Sequence, residues 1–500
     1  MTSSDFNKYI KSSEFRALLA QYENALKTGE MVFLDSDDIV DIAEYYHIAG
    51  EIEKAEEAAD YCLSLYPNES APLLFKARMA LVDYCDVDMA RSFLNQVEEE
   101  DESLETVYVT AEIMMNDVGV RKADEYLQEK YASFMEGNYV LDCDDEMDEE
   151  EDTPDFALDV AMMYCEHGYD EYAEKWMEKT SIPEGSAATD YYDTWARIYM
   201  AQSRWDEAVV MIDKLIDIDA YSVHAWLMMS EARFNQVQYQ EALQSAEYAV
   251  AIAPDAPEPY ITRGNCLYAL NHLEAAQKSF ERYLEICPEE PVGELLLAST
   301  LFCLKKTQEA FEHVKVLIKN FDYLPVAQAR DALKTSASIA AKAGDISLAM
   351  DCCERLEDLD DGTEEADLIR GAVYLEANDI GMAMKYFSKV SAETDYSPQT
   401  VSRIGVICYE AGLLLLAYQM LKEAIKPYEE VGLEDCPPQT IAFLTGACRN
   451  LGNRDEYLYY LKHAVRIAPL DTASVLGDYF PPGTEVRDYW EIEQKRKDEK

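Results

Sequence analysis

Glycine and proline are scarce, at 19 and 17 in 500 residues, and that argues against a turn-dense all-β chain. Cations are scarce relative to anions: 43 Lys and Arg face 99 Asp and Glu, a formal charge of −56. No clustered basic face is left to replace the counterions of a phosphate backbone, so direct nucleic-acid binding is not expected. The longest apolar stretch, Ala411 to Ala417, falls far short of the roughly 20 residues that cross a bilayer. The opening MTSSDFNKYIKSSEF has no apolar segment behind a basic start. These absences predict a soluble chain that stays in the cytoplasm.

Catalytic signatures are missing as well. The six histidines, at 47, 167, 224, 272, 313 and 463, are scattered with no HExxH spacing. Cys165 and His167 lack companion ligands, and Cys352 and Cys353 diverge on a helix. Neither GxxxxGK[ST] nor a strand-to-helix GxGxxG occurs. The twelve cysteines contain no CxxC pair and read as reduced core residues. No enzyme activity, metal or cofactor is expected.

What is present is a period. Ala208, Ala242, Ala276 and Ala310 stand at intervals of thirty-four, with similar residues around each. That interval marks stacked helical hairpins, each unable to bury its apolar face without its neighbours. Phased on the same small residue of the second helix, the series runs Ala55, Ala90, Ala123, Ala173, Ala208, Ala242, Ala276, Ala310, Ala349, Ala383, Ala417 and Tyr457. About twelve units result. Gly50, Gly344 and Asn378 stand where a left-handed residue would end the first helix, and Pro67, Pro254, Pro288 and Pro469 stop the second.

In the unit 257 to 290, Tyr260, Gly264, Ala276, Phe280 and Pro288 take the phases of Trp, Gly, Ala, Phe and Pro in a tetratricopeptide repeat, and the chain resembles that family. Trp226, Ala242, Ala249 and Pro254 in the unit before, and Gly371, Tyr374, Ala383 and Phe387 later, repeat the likeness in part. The resemblance covers about residues 36 to 470. It implies an all-α fold, a right-handed α-solenoid of about twelve tandem helix-turn-helix repeats. The organisation expected is a helical cap at 1–35, repeats at 36–140, an acidic loop at 141–155, repeats at 156–324 and 325–469, and a capping segment with a charged tail at 470–500. The loop holds ten acidic residues and no basic one.

The resemblance also implies that the first helix of each hairpin lines an inner groove. In the central units the candidate partner-binding residues are then Leu227, Glu231 and Phe234; Ile261, Asn265 and Tyr268; Leu295, Ser299 and Phe302. A one-residue error of phase would turn Leu227, Ile261 and Leu295 into core contacts. One subgroup of the family grips a terminal carboxylate with basic and amide groups. Here Asn265 matches one such phase, but Val292, Leu296 and Lys334 stand at the others, so an acidic tail is not the expected ligand. The function expected is a non-enzymatic scaffold or adaptor binding a peptide or protein segment, with a basic or neutral partner favoured by the charge. An acidic, chaperone-like holder of a basic client is the alternative, and an enzyme with an unrecognised site a more distant one.

Overall fold

The computed structural model describes residues 6, 9–28, 34–67, 69–97, 103–136, 155–182, 187–324, 326–359, 363–481 and 483–498. Among them the chain is helical, without a strand, as the sequence pattern requires. After a leading helix, Ser13–Thr28, twelve helical hairpins follow one another at 36–65, 70–94, 104–135, 156–177, 187–218, 223–252, 258–286, 291–319, 326–359, 363–393, 398–431 and 438–467. Helices Pro469–Leu476 and Tyr489–Asp498 come last. Two compact units, Met1–Pro254 and Asp255–Lys500, each hold six hairpins. The acidic run lies outside the described residues except for Asp155, whose carboxylate caps helix Phe156–Glu166.

Each hairpin turns on one residue of positive φ: Gly50, Cys85, Gly119, Gly168, Ser203, Val237, Asn271, Lys305, Gly344, Asn378, Gly412 and Gly452. In eleven of the twelve the amide one residue further on then reaches back over the end of the first helix, and at Gly119 its own amide does so, donating to the Met114 carbonyl at 3.0 Å. Arg204 donates to the Tyr199 carbonyl at 2.7 Å, Gln238 to Arg233 at 2.9 Å and Asp379 to Tyr374 at 2.8 Å. This closure satisfies carbonyls that the helix end would orphan, and it sends the chain back along the same axis. Val237 adopts the conformation although it is β-branched, so closure outweighs a local preference against it.

Packing explains the interval of the small residues. All eleven alanines of the series are 0% exposed, and Tyr457 in the twelfth unit is 1% exposed. In three hairpins of the second unit a glycine of the first helix faces a large residue sixteen positions later in the second: Gly264 against Phe280, Gly371 against Phe387 and Gly405 against Leu421. A Cβ at Gly371 would collide with the Phe387 ring, so the absence of a side chain is what lets that ring enter. Within each unit, first helices of successive hairpins meet one another, whereas second helices of neighbouring hairpins scarcely do. The first helices therefore form the crowded inner layer, and the second helices splay outward.

The array ends on aromatic and ionic packing. Phe15 and Tyr22 of the leading helix join the core of the first hairpin with Ile39 and Ile42. At the other end Glu493, 1% exposed, receives Arg449, Arg454 and Arg496 at 3.2, 3.0 and 2.8 Å, while Phe480 and Tyr489 stack at 3.8 Å. No helix among the described residues is long and apolar enough to cross a membrane.

Gly371→Ala is expected to destabilise the chain by about 1–3 kcal/mol, the range for overpacking a filled core. Chemical denaturation followed by circular dichroism measures this. Adding Phe387→Leu should recover part of the loss, whereas a neutral single variant would mean that the glycine is not needed for close approach.

Candidate functional site

The inner layer of the first unit is a ladder of ionisable side chains running from one first helix to the next. Arg78 on helix Ser70–Val82 reaches Glu112 at 3.3 Å and Glu105 at 3.7 Å, both on Leu104–Asp117. Tyr108 of that helix donates to Asp159 of Phe156–Glu166 at 3.0 Å. On Ala187–Ala201, Asp193 lies 4.0 Å from Arg197 and 2.9 Å from the His224 ring of Val223–Asn235. Asp41 and Glu44 project from the first hairpin, and Glu166 from the fourth. Seven carboxylates thus share two arginines and two histidines, His224 and the His167 that faces Glu166.

The excess has an electrostatic signature. Burial pushes Glu44 up to about 7, with Glu105 and Asp41 adding repulsion and Arg78 opposing it. Asp41 rises to about 6, chiefly through burial and then through Asp38 and Asp37. Asp159 and Glu166 are raised by burial too, and Glu112 adds to the rise at Glu166. His224 is shifted the other way in charge terms: its hydrogen bond to Asp193 holds on to a proton and raises it. These are carboxylates held close together in a partly dry setting without enough cations to neutralise them.

The nine residues expected in a groove fall on both sides of the boundary between the units and are described in their own. In the first unit Glu231 is exposed, Leu227 is half-buried, and the Phe234 ring packs 5.0 Å from Tyr239 of its own hairpin. In the second, Ile261 and Asn265 are half-buried and Tyr268 is 39% exposed. The Tyr268 hydroxyl lies 3.3 Å from the Cys303 sulfur and is pushed up to about 12, mainly by burial. Phe302 carries the Lys342 ammonium 5.0 Å from its ring centroid. Ser299 turns its hydroxyl back to the Leu295 carbonyl at 2.7 Å, so that group is spent within its helix. Leu295, 9% exposed, packs with Leu317 and Leu324 in a core cluster. Little of its surface is open, and Phe321 of the short 3-10 segment Phe321–Tyr323 packs against the same cluster.

The acidic ladder was missed in the sequence, yet a signal for it existed. The inner phases used for the central units, carried back to the earlier ones, fall on Glu44, Glu105, Glu112, Asp193 and Arg197. Among the described residues no group of three His, Cys, Asp or Glu is placed to hold a metal ion.

Residues 230–298 match the family model described as tetratricopeptide repeat. Over 110 residues the chain is 31% identical to RNA polymerase II-associated protein 3 of Homo sapiens, covering 22% of this chain and 16% of that protein. With the Mus musculus protein of the same name it is 30% identical over 91 residues, 18% of this chain and 14% of that one. The chain thus spans only about a sixth of these curated relatives. Among solved structures it is similar to YrrB, a TPR protein with an unusual peptide-binding site (TM-score 0.32, 16% identity, 36% of this chain and 91% of that one). It is also similar to a chain of the APC/C hetero-tetramer Cut9–Hcn1 (TM-score 0.34, 14% identity, 95% of each).

Because Glu44 and Asp41 are raised, the stability they contribute is fully present below their ordinary range near 4.5 and 3.8 and is lost as pH rises through about 7 and 6. The chain should therefore melt at a lower temperature at pH 8 than at pH 5.5. Glu44→Gln should stabilise it at pH 8, by on the order of 2 kcal/mol, and flatten the profile. Melting curves across that range decide it; an unchanged profile in the variant would place the strain elsewhere.

Proposed function

We propose that this chain, which belongs to the tetratricopeptide repeat family, is a non-catalytic protein-interaction scaffold whose first unit receives a basic segment of a partner on its inner layer. One observation carries the reading: carboxylates on two first helices, Asp41 and Glu44 on Ser36–Ile48 and Asp159 and Glu166 on Phe156–Glu166, stand raised chiefly by burial and further by neighbouring carboxylates, with few cations beside them. A Lys or Arg side chain laid along the ladder would supply the missing charge where water is already partly excluded. Such pairs set specificity and the rate of encounter more than total affinity. In the second unit the inner layer is more nearly balanced. Lys334 reaches Glu365 at 3.1 Å, and Arg403 pairs with both Glu365 and Glu364. Together with Ile261, Asn265, Tyr268 and Phe302, that layer suits an apolar or neutral continuation of the same partner. The acidic-holder alternative leans on the run at 141–155, which lies outside the described residues except for Asp155.

A synthetic oligo-lysine peptide serves as the probe. Its affinity, measured by titration calorimetry, should fall steeply between about 0.1 M and about 1 M salt as the screening length shrinks from about 10 Å to about 3 Å. Asp41→Asn, Glu44→Gln and Glu166→Gln combined should weaken it about tenfold, a loss of about 1.4 kcal/mol. Undiminished binding in the triple variant would overturn the assignment of the basic segment to this layer. Phe234→Ser, Tyr268→Ser and Phe302→Ser together test the aromatic residues. Loss of a natural partner with an unchanged melting curve would assign them to the binding surface, and a large loss of stability would assign them to the core.

A further inference from the structure

The second helices carry a feature that the inner layer does not explain. Between helices Ile380–Glu393 and Leu414–Val431 of the second unit lies a cleft of about 510 Å³, well within the range of about 300–1,000 Å³ of sites that hold ligands. One wall is Met384, Phe387 and Ser388, the other Met420, Glu423 and Pro427, and Val401 and Ile404 of helix Pro398–Glu410 form the floor. Each wall is a single helix face read at intervals of three and four, about two turns long. The cleft opens here because helix Pro398–Glu410 packs against the preceding second helix more sparsely than any other first helix of this unit does at its own joint.

Three further observations indicate what the cleft accepts. Methionines on both walls give an adaptable apolar lining suited to large aliphatic or aromatic side chains of varied shape. Pro427 has no amide hydrogen, so the Glu423 carbonyl one turn earlier lacks its helical donor on the face that lines the cleft. The Glu423 carboxylate is held only by Lys426 of the same helix, an exposed pair at 2.5 Å that solvent screens and that is readily exchanged. Beside the mouth, Asp395 and Tyr396 form the one pair of consecutive left-handed residues outside glycine among the described residues, at φ 51° and 56°, and Tyr396 stays 66% exposed while lining the cleft. A bulky side chain held in that conformation is a departure from the usual rule, and the turn it makes stations the ring at the entrance.

We propose that this cleft is a docking site for a basic amphipathic helix of a partner protein. Its large apolar side chains enter between Met384 and Met420, and an adjoining Lys or Arg meets the carboxylate and free carbonyl of Glu423. The occupant follows from complementarity: two helix faces with a trough between them suit a third helix, and a carboxylate whose one partner, Lys426, is a solvent-exposed neighbour on its own helix can exchange it for a cation of the partner. The site lies on the outward-splayed helices and stands independently of the reading of the first unit's inner layer.

The test uses the full chain and two synthetic amphipathic helical peptides, one of Leu and Lys and one of Leu and Glu, at physiological salt. The Leu/Lys peptide should bind and protect amides at 384–391 and 420–426 from hydrogen exchange. Ser388→Trp, which fills the cleft from an exposed position, should weaken it about tenfold or more with an unchanged circular dichroism melt. The combined Asp41, Glu44 and Glu166 variant should leave this protection intact, which separates failure here from failure of the inner layer. Protection confined to the first helices, binding undiminished by Ser388→Trp, or equal binding of the Leu/Glu peptide would each overturn the proposal. Should Ser388→Trp alter the melt, Met384→Ala with Met420→Ala replaces it, and loss of the same protected amides is the expected result.

Discussion

The left-handed residue that closes each hairpin is the constraint on which the other features depend. It occurs once in every first turn, from Gly50 to Gly452, and in eleven of the twelve the next residue's amide reaches back over the end of the first helix, while at Gly119 its own amide does so onto the Met114 carbonyl. Closure at that point fixes the two helices side by side. Only then does a residue thirty-odd positions away recur at the same place in the next hairpin. Ala208, Ala242, Ala276 and Ala310 can all be fully buried because four turns of the same geometry set them down in register. Val237 shows the strength of the requirement, since a β-branched side chain is forced into a conformation that it disfavours.

From that closure follows an asymmetry between the layers. First helices crowd against one another and second helices diverge, so side chains on the inner layer have less water and nearer neighbours than their sequence suggests. In the first unit this brings Glu44 toward Glu105 and Glu112 toward Glu166, carboxylates more than fifty residues apart. In the second unit the same crowding is met by Lys334 and Arg403, and the layer is closer to neutral. The divergence of the outer helices has its own consequence at 380–393 and 414–431, where a loose joint leaves an apolar cleft lined by methionines.

The fold was legible because it is local. A hairpin is written in some thirty residues, and the phase of Ala55 through Tyr457 agrees with burial in all twelve units. The binding role of the central residues is a proposal that burial alone does not decide: Tyr268 and Glu231 are exposed, whereas Leu295 is buried in a cluster that Leu324, and Phe321 of the short 3-10 turn in the insertion before Ala349, also join. A phase rule carries no information about an insertion in the next unit. Nor does it report which carboxylates repel one another, since that depends on contacts between hairpins and not on spacing within one. The cleft at Met384 and Met420 is of the same kind: its helical periodicity is ordinary, and only the looseness of one joint distinguishes it.

Proton release on binding probes the inner layer of the first unit most directly. If a basic segment settles against Asp41 and Glu44, which hold protons up to about 6 and 7, its charge must displace them. Calorimetric titration of oligo-lysine near pH 6.5, in buffers of different ionisation enthalpy, should show protons leaving the complex, with the release reduced in Glu44→Gln. Binding with no proton exchange, or with exchange untouched by that substitution, would contradict the account.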